Sequence, residues 1–119
     1  MKKQVKISVI GVGHLGTIHS KLLKKNDFAE LVGIYDIDNS KAKELARELD
    51  CKPFASVQDA VEAADAVIIS TTTSTHYEIA IECIERGKHC FIEKPITATY
   101  KQALDIIEKF VKANVVDLI

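Results

Sequence analysis

Apolar and polar positions along this chain fall into short blocks of two alternating kinds. Val5–Ile10 (VKISVI) is rich in β-branched residues and stops abruptly at Gly11, the pattern of a strand buried on both faces of a parallel sheet. Over residues 15–25 the apolar positions Leu15, Ile18, Leu22 and Leu23 recur at helical spacing with lysines opposite, and Asn26-Asp27 closes the segment. The pair then repeats. Residues 31–35 predict a second strand ending at Asp36, and Asp38-Asn39-Ser40 offers capping oxygens to a helix over 41–49. Lys52-Pro53-Phe54 predicts a short edge strand, and Ser56-x-x-Asp59 opens a brief helix through Ala63. Residues 66–70 form a third strong strand. The helix after it is expected over 76–86, capped by Ser74-Thr75, with Ile79, Ala80, Cys83 and Ile84 on one face and Gly87 at its end. His89–Ile92 predicts another strand, and Tyr100–Ala113 a helix with Ala103, Leu104, Ile107 and Phe110 inward. Val115-Val116 would open a sixth strand.

Strands alternating with helices imply right-handed crossovers, hence an α/β fold: a doubly wound, mostly parallel sheet with helices on both faces. Ligands in such folds sit beyond the carboxyl ends of the strands. Attention therefore falls on the residues just after each strand: 11–16, Asp36, 71–76 and 93–95.

At 119 residues, 47% apolar and 28% charged, the chain has the size and composition of one globular domain. Its net charge of −1 is spread without a basic patch, which argues against nucleic acid and membrane surfaces as partners. No apolar run approaches the ~20 residues of a membrane helix, and no cleavable leader is visible, so a cytoplasmic protein is expected. Cys51, Cys83 and Cys90 form no C-x-x-C pair and are expected to be buried thiols. His14, His19, His76 and His89 include no pair at i, i+4 spacing, so no metal site is expected.

Gly11-Val12-Gly13-His14-Leu15-Gly16 is G-x-G-x-x-G between a strand and a helix, the context that a dinucleotide-binding turn requires. Gly11 permits the tight turn, Gly13 lets backbone approach a pyrophosphate, and Gly16 lets the helix pack on the strand. The N–H groups at the helix start, His14 and Leu15 included, would face the phosphates, with the His14 ring outward. Asp36 follows Gly16 by about twenty residues, the interval of the acid that accepts hydrogen bonds from the adenosine ribose. Ile37 is counted beside it as cofactor-binding. A carboxylate there repels a 2′-phosphate and no arginine stands nearby to hold one, which favours NAD over NADP. Methyltransferases that use S-adenosylmethionine also carry a glycine turn and a strand-end acid. Their turn is usually G-x-G-x-G, however, and position 15 here is Leu.

The run Asp65-Ala66-Val67-Ile68-Ile69-Ser70-Thr71-Thr72-Thr73-Ser74-Thr75-His76-Tyr77-Glu78, with Glu85-Arg86-Gly87-Lys88-His89 and Glu93-Lys94-Pro95-Ile96, resembles the N-terminal Rossmann domain of the Gfo/Idh/MocA oxidoreductases. The likeness covers essentially the whole chain. It implies that Glu93 and Lys94 lie beside the nicotinamide, with Lys94 contacting substrate and handling the proton of the hydroxyl being oxidised. A lysine at a sheet edge beside a cofactor is chemically suited to that work. It also implies that Thr71, Thr73, Ser74 and His76 follow the cofactor, and that Pro95 shapes its turn through a cis bond. Thr72 stands where the family usually has proline, a departure expected to loosen that loop.

Family members are typically about three times as long, with a second α/β domain that covers the nicotinamide and contacts a small polyol or sugar substrate. The expectation is therefore one dinucleotide-binding domain over 1–119 without that second domain, binding cofactor but turning over little by itself. The exposed sixth-strand edge could pair with a second copy. The alternative is a non-catalytic nucleotide-binding or interaction module that keeps the fold without its chemistry.

Overall fold

A computed structural model describes residues 4–94, 97–115 and 117–118. Its six strands are β1 (Val5–Ile10), β2 (Ala29–Tyr35), β3 (Lys52–Pro53), β4 (Ala66–Ile69), β5 (His89–Ile92) and β6 (Asp117–Leu118). Between them run α1 (His14–Lys24), α2 (Asn39–Leu49), α3 (Val57–Glu62), α4 (Thr73–Glu85) and α5 (Tyr100–Ala113). All pairings are parallel, in the order β3-β2-β1-β4-β5-β6. The order reverses between β1 and β4, which places the switch point of a doubly wound sheet there.

Alternation along the strands divides the core in two. Ile10, Val67, Ile69, Cys90 and Ile92 pack on one face with Ala60 and Val61 of α3, Ile79, Ala80 and Cys83 of α4, and Ile106 and Phe110 of α5. Val9, Leu31 and Ile34 pack on the other with Leu45, Ala46 and Leu49 of α2, joined by Leu23 of α1. The α1–α2 face covers mainly the β3-β2-β1 half. Over β4 and β5 it leaves a hollow of about 310 Å³ lined by Ile7, Ala66, Ile68, Phe91 and His19.

Three expectations are corrected. The inward face of α1 is not Leu15, Ile18 and Leu22, which are 41–61% exposed, but Gly16 and Ser20, with Leu23 partly buried. A Cβ on Gly16 would fall on the Gly11 carbonyl, so the helix lies too close to β1 for large side chains beneath it. Helix α5 buries Ile106 and Phe110 and leaves Leu104 and Ile107 about half exposed. The helix carries two neighbouring apolar stripes, and spacing alone does not choose between them. Helix α4 begins at Thr73, earlier than expected, after an N-cap Thr72 that makes no side-chain capping bond.

Other boundaries shift by a residue or two, as helix and strand ends commonly do. Asp38 and Ser56 cap α2 and α3 as their sequence positions suggest, accepting from the N–H groups of Lys41 and Asp59. Cys83 and Cys90 are buried, whereas Cys51 is only half-buried, its thiol pushed up chiefly by that burial. Pro95 and Val116 lie outside the described residues, and so does the expected cis bond.

Candidate functional site: the crevice between β1 and β4

The glycine turn is packed against the end of β4. Gly11 adopts φ +95, and a Cβ there would come within 2.6 Å of the Ser70 carbonyl group. The turn is also tied to β2, because the Gly11 N–H donates to the Tyr35 carbonyl at 2.7 Å and the Val12 N–H to Asp36 Oδ2 at 2.8 Å. Asp36 Oδ1 accepts the Asp38 N–H at 2.8 Å. Both carboxylate oxygens are therefore already oriented by backbone, and each retains a lone pair for an incoming hydroxyl. Val12 is buried, while Leu15 is half-exposed and Ile37 is 92% exposed on the rim beyond Asp36. His14 is exposed, as its outward ring requires.

Gly13 differs from its two partners. Among the described residues no atom lies within 4 Å of the place a Cβ would occupy, and its φ of −70 is open to any residue. Nothing among the described residues demands glycine here. As N-cap of α1 it also contributes no side-chain oxygen, so the first-turn N–H groups have no capping side chain. Of the five described helices, α1 and α4 lack a side-chain cap, while Asp38, Ser56 and Thr99 cap the others. The two uncapped N-termini follow β1 and β4, the strands that flank the switch point. There they can offer N–H groups to a phosphate. A shallow cleft of about 440 Å³ runs beside this turn, lined by Gly13, His14, Thr17, Lys21 and Lys41. The two lysines are not evident from the sequence, because α2 brings Lys41 back to the turn only through the fold.

Across the switch point, the loop after β4 is closed by its own side chains. Thr75 Oγ1 donates to Thr71 Oγ1 at 2.7 Å and lies 2.8 Å from the Thr72 carbonyl; Thr72 and Ser74 hydroxyls stand 3.4 Å apart. Thr73 is half-buried and Ser74 exposed. His76 is 1% exposed and its Nε2 lies 3.1 Å from the Thr71 carbonyl, so the ring shapes the loop from within. Thr72 has φ −67 and ψ 147, the conformation of a proline in extended backbone. Tyr77 donates to Asp105 Oδ2 at 2.6 Å, linking the first turns of α4 to α5; that hydroxyl, aided by Lys109, holds the Asp105 carboxyl below its ordinary range.

At the end of β5 the Glu93 N–H donates to the Ile69 carbonyl at 3.0 Å, Glu93 is half-buried, and Lys94 is exposed. Glu93 Oε1 lies 2.6 Å from Nε2 of His19 on α1. The sequence alone assigns His19 no role. The two residues are far apart in the chain, and the only local signal is that His19 follows the glycine turn on the same helix. The described residues contain no cluster of three or more His, Cys, Asp or Glu able to hold a metal.

Residues 5–118 match the model of the Gfo/Idh/MocA oxidoreductase family, NAD-binding Rossmann fold. The chain belongs to this family. It is 41% identical over 99 residues to the UDP-N-acetylglucosamine 3-dehydrogenase of Acidithiobacillus ferrooxidans, a match covering 83% of this chain and 31% of that enzyme. The solved structure of that dehydrogenase superposes with a TM-score of 0.89 at 37% identity, covering 94% of this chain and 36% of the other. The myo-inositol 2-dehydrogenase of Thermotoga maritima is 35% identical over 94% of this chain and 34% of its own length. The NAD(+)-dependent scyllo-inositol 2-dehydrogenase of Bacillus subtilis is 36% identical over 98% of this chain and 35% of its own. This Gfo/Idh/MocA domain thus spans about a third of the length of those relatives.

Proposed function

We propose that the domain holds a nicotinamide dinucleotide, NAD in preference to NADP, across the β1/β4 switch point. Together with a substrate domain it would serve a dehydrogenase acting on a hydroxyl of a sugar, sugar nucleotide or cyclitol. The observation that carries this reading is Gly13: the missing side chain leaves space that no atom of the described residues uses, beside an uncapped helix N-terminus. Gly11 and Gly16 fix the turn, and the N–H groups of Gly13, His14 and Leu15 are the donors for the pyrophosphate. Asp36 accepts from the adenosine ribose and disfavours a 2′-phosphate, and the exposed Ile37 gives the adenine an apolar surface. Thr71, Thr73 and Ser74 line the other side. His76 supports them from below through the Thr71 carbonyl.

A bound nicotinamide supplies the hydride acceptor. For the chain's own part, Lys94 takes the proton from the substrate hydroxyl, and Glu93 sets the end of β5 from which Lys94 projects. Lys94 is exposed in this domain, whereas efficient transfer requires an enclosed, water-poor site. The isolated domain therefore binds cofactor and turns over little.

Calorimetric titration with NAD, NADP and S-adenosylmethionine in one buffer tests the proposal. Saturable binding of NAD, weaker binding of NADP and none of S-adenosylmethionine supports it; a folded protein that binds none of them refutes it. Lys94→Ala should leave NAD affinity within about twofold, a change of under ~0.5 kcal/mol. The same substitution should sharply lower turnover once the domain is joined to a substrate domain.

A further inference from the structure

Resting on that reading, we propose that His19 is a positioning residue that carries the geometry of the glycine turn to the Glu93–Lys94 turn. His19 lies on the second turn of α1, whose first turn is the phosphate-facing end of the crevice. Its Nε2 is 2.6 Å from Glu93 Oε1, and the two side chains are only 26% and 20% exposed. The imidazole stands edge-on to Phe91, with ring centroids 5.7 Å apart and an interplanar angle of 66°. One imidazole thus touches both the residue that follows β5 and a residue within that strand.

The chemistry of Glu93 makes this contact consequential. A glutamate at a strand end has three rotatable bonds, and only its backbone is fixed, by the N–H donated to Ile69. Without a partner its carboxylate samples several directions at the nicotinamide end of the crevice. Held by His19, the carboxylate has one direction, and that direction is set by the helix that begins at Gly13. A diphosphate seated on α1 and a carboxylate seated on α1 therefore share a rigid frame, so the two ends of the dinucleotide are placed relative to each other by a single helix.

The contact with Phe91 could instead be packing alone, and two variants separate the possibilities. His19→Phe keeps a ring against Phe91 and removes the bond to Glu93. His19→Gln keeps an N–H donor and removes the ring. The 119-residue protein and both variants are titrated with NAD and with ADP, which occupies only the adenosine and diphosphate half, and each is melted as a control. The expected result is a loss of threefold or more in NAD affinity for His19→Phe, with ADP affinity within twofold of the starting protein. His19→Gln should restore NAD affinity to within twofold. If His19→Phe fails to fold, Glu93→Met removes the same bond from the other partner and should give the same NAD-only loss. His19→Phe binding NAD as the starting protein does, or losing ADP and NAD equally, overturns the proposal. A starting protein that binds ADP and NAD equally puts Glu93 out of the cofactor's reach, and His19 falls with it. One that binds neither overturns the dinucleotide reading itself.

Discussion

On the β1–β2 side of the crevice, the chain is held by backbone: a glycine at φ +95 against Ser70, a helix pressed onto the Gly11 carbonyl, and two N–H groups on the Asp36 carboxylate. On the β4–β5 side, side chains do the holding: threonine hydroxyls closing their own loop, a buried His76 under Thr71, and His19 reaching from α1 to Glu93. Steric exclusion leaves few residue types possible at each position, whereas many residues can make a side-chain hydrogen bond. The first side is therefore rigid and narrowly specified, and the second can be retuned without loss of the fold. Under the proposed function, that division suits a fixed adenosine diphosphate and a variable substrate.

The largest effect that would break this comparison is expected at Gly16. A methyl group there meets the Gly11 carbonyl with no flexible side chain to yield, so Gly16→Ala should cost upwards of about 3 kcal/mol or prevent folding. Urea denaturation reads it, and an unchanged midpoint would mean that α1 can lift from β1. Gly13→Ala should behave in the opposite way. With no atom of the described residues within 4 Å, stability should hold or rise by ~0.5 kcal/mol, while NAD affinity falls by about 2–3 kcal/mol as the methyl occupies the pyrophosphate's place. Paired melting and titration separate the two glycines, and retained NAD binding by Gly13→Ala would remove the central support for the proposed function.

Asp36 lies between these extremes because it serves both protein and ligand. Asp36→Ala should weaken NAD binding by about 1–3 kcal/mol through the loss of charge-assisted bonds, and it should also lower stability, since the Val12 and Asp38 N–H groups are left without their acceptor. A drop in stability with NAD affinity unchanged would make Asp36 a structural residue alone. NADP affinity should fall less than NAD affinity, because removing the carboxylate also removes its repulsion of a 2′-phosphate.

What could be read from the sequence follows the same division. The strand and helix alternation, the glycine turn and the acid after β2 were all legible, because each rests on local spacing and backbone sterics. The inward face of α1 was not. Its apolar periodicity pointed to Leu15, Ile18 and Leu22, but the closeness imposed by Gly16 turns those side chains to the flanks. The start of α4 was misplaced because Ser74 and Thr75 look like caps, whereas the turn is closed by the Thr75 hydroxyl on Thr71 and Thr72. The pairing of His19 with Glu93 crosses 74 residues of chain, and no periodicity encodes it.

The smallest effect tests whether the β4–β5 side has a preset backbone of its own. Thr72 already has φ −67, which proline's ring would impose, and among the described residues no backbone bond is donated by its N–H. Thr72→Pro should therefore remove freedom from the unfolded chain at no cost to the native loop, raising stability by about 0.4–1 kcal/mol. The hydrogen bond between the Thr72 and Ser74 hydroxyls is long, at 3.4 Å, and exposed, so its removal subtracts little. NAD affinity should stay within twofold. If stability falls instead, the loop depends on the threonine side chain, and both its backbone and its packing on this side follow from hydroxyl bonding. If stability rises while NAD affinity drops, the Thr72 hydroxyl belongs to the cofactor's surroundings, and the departure from proline is a feature of binding in this domain.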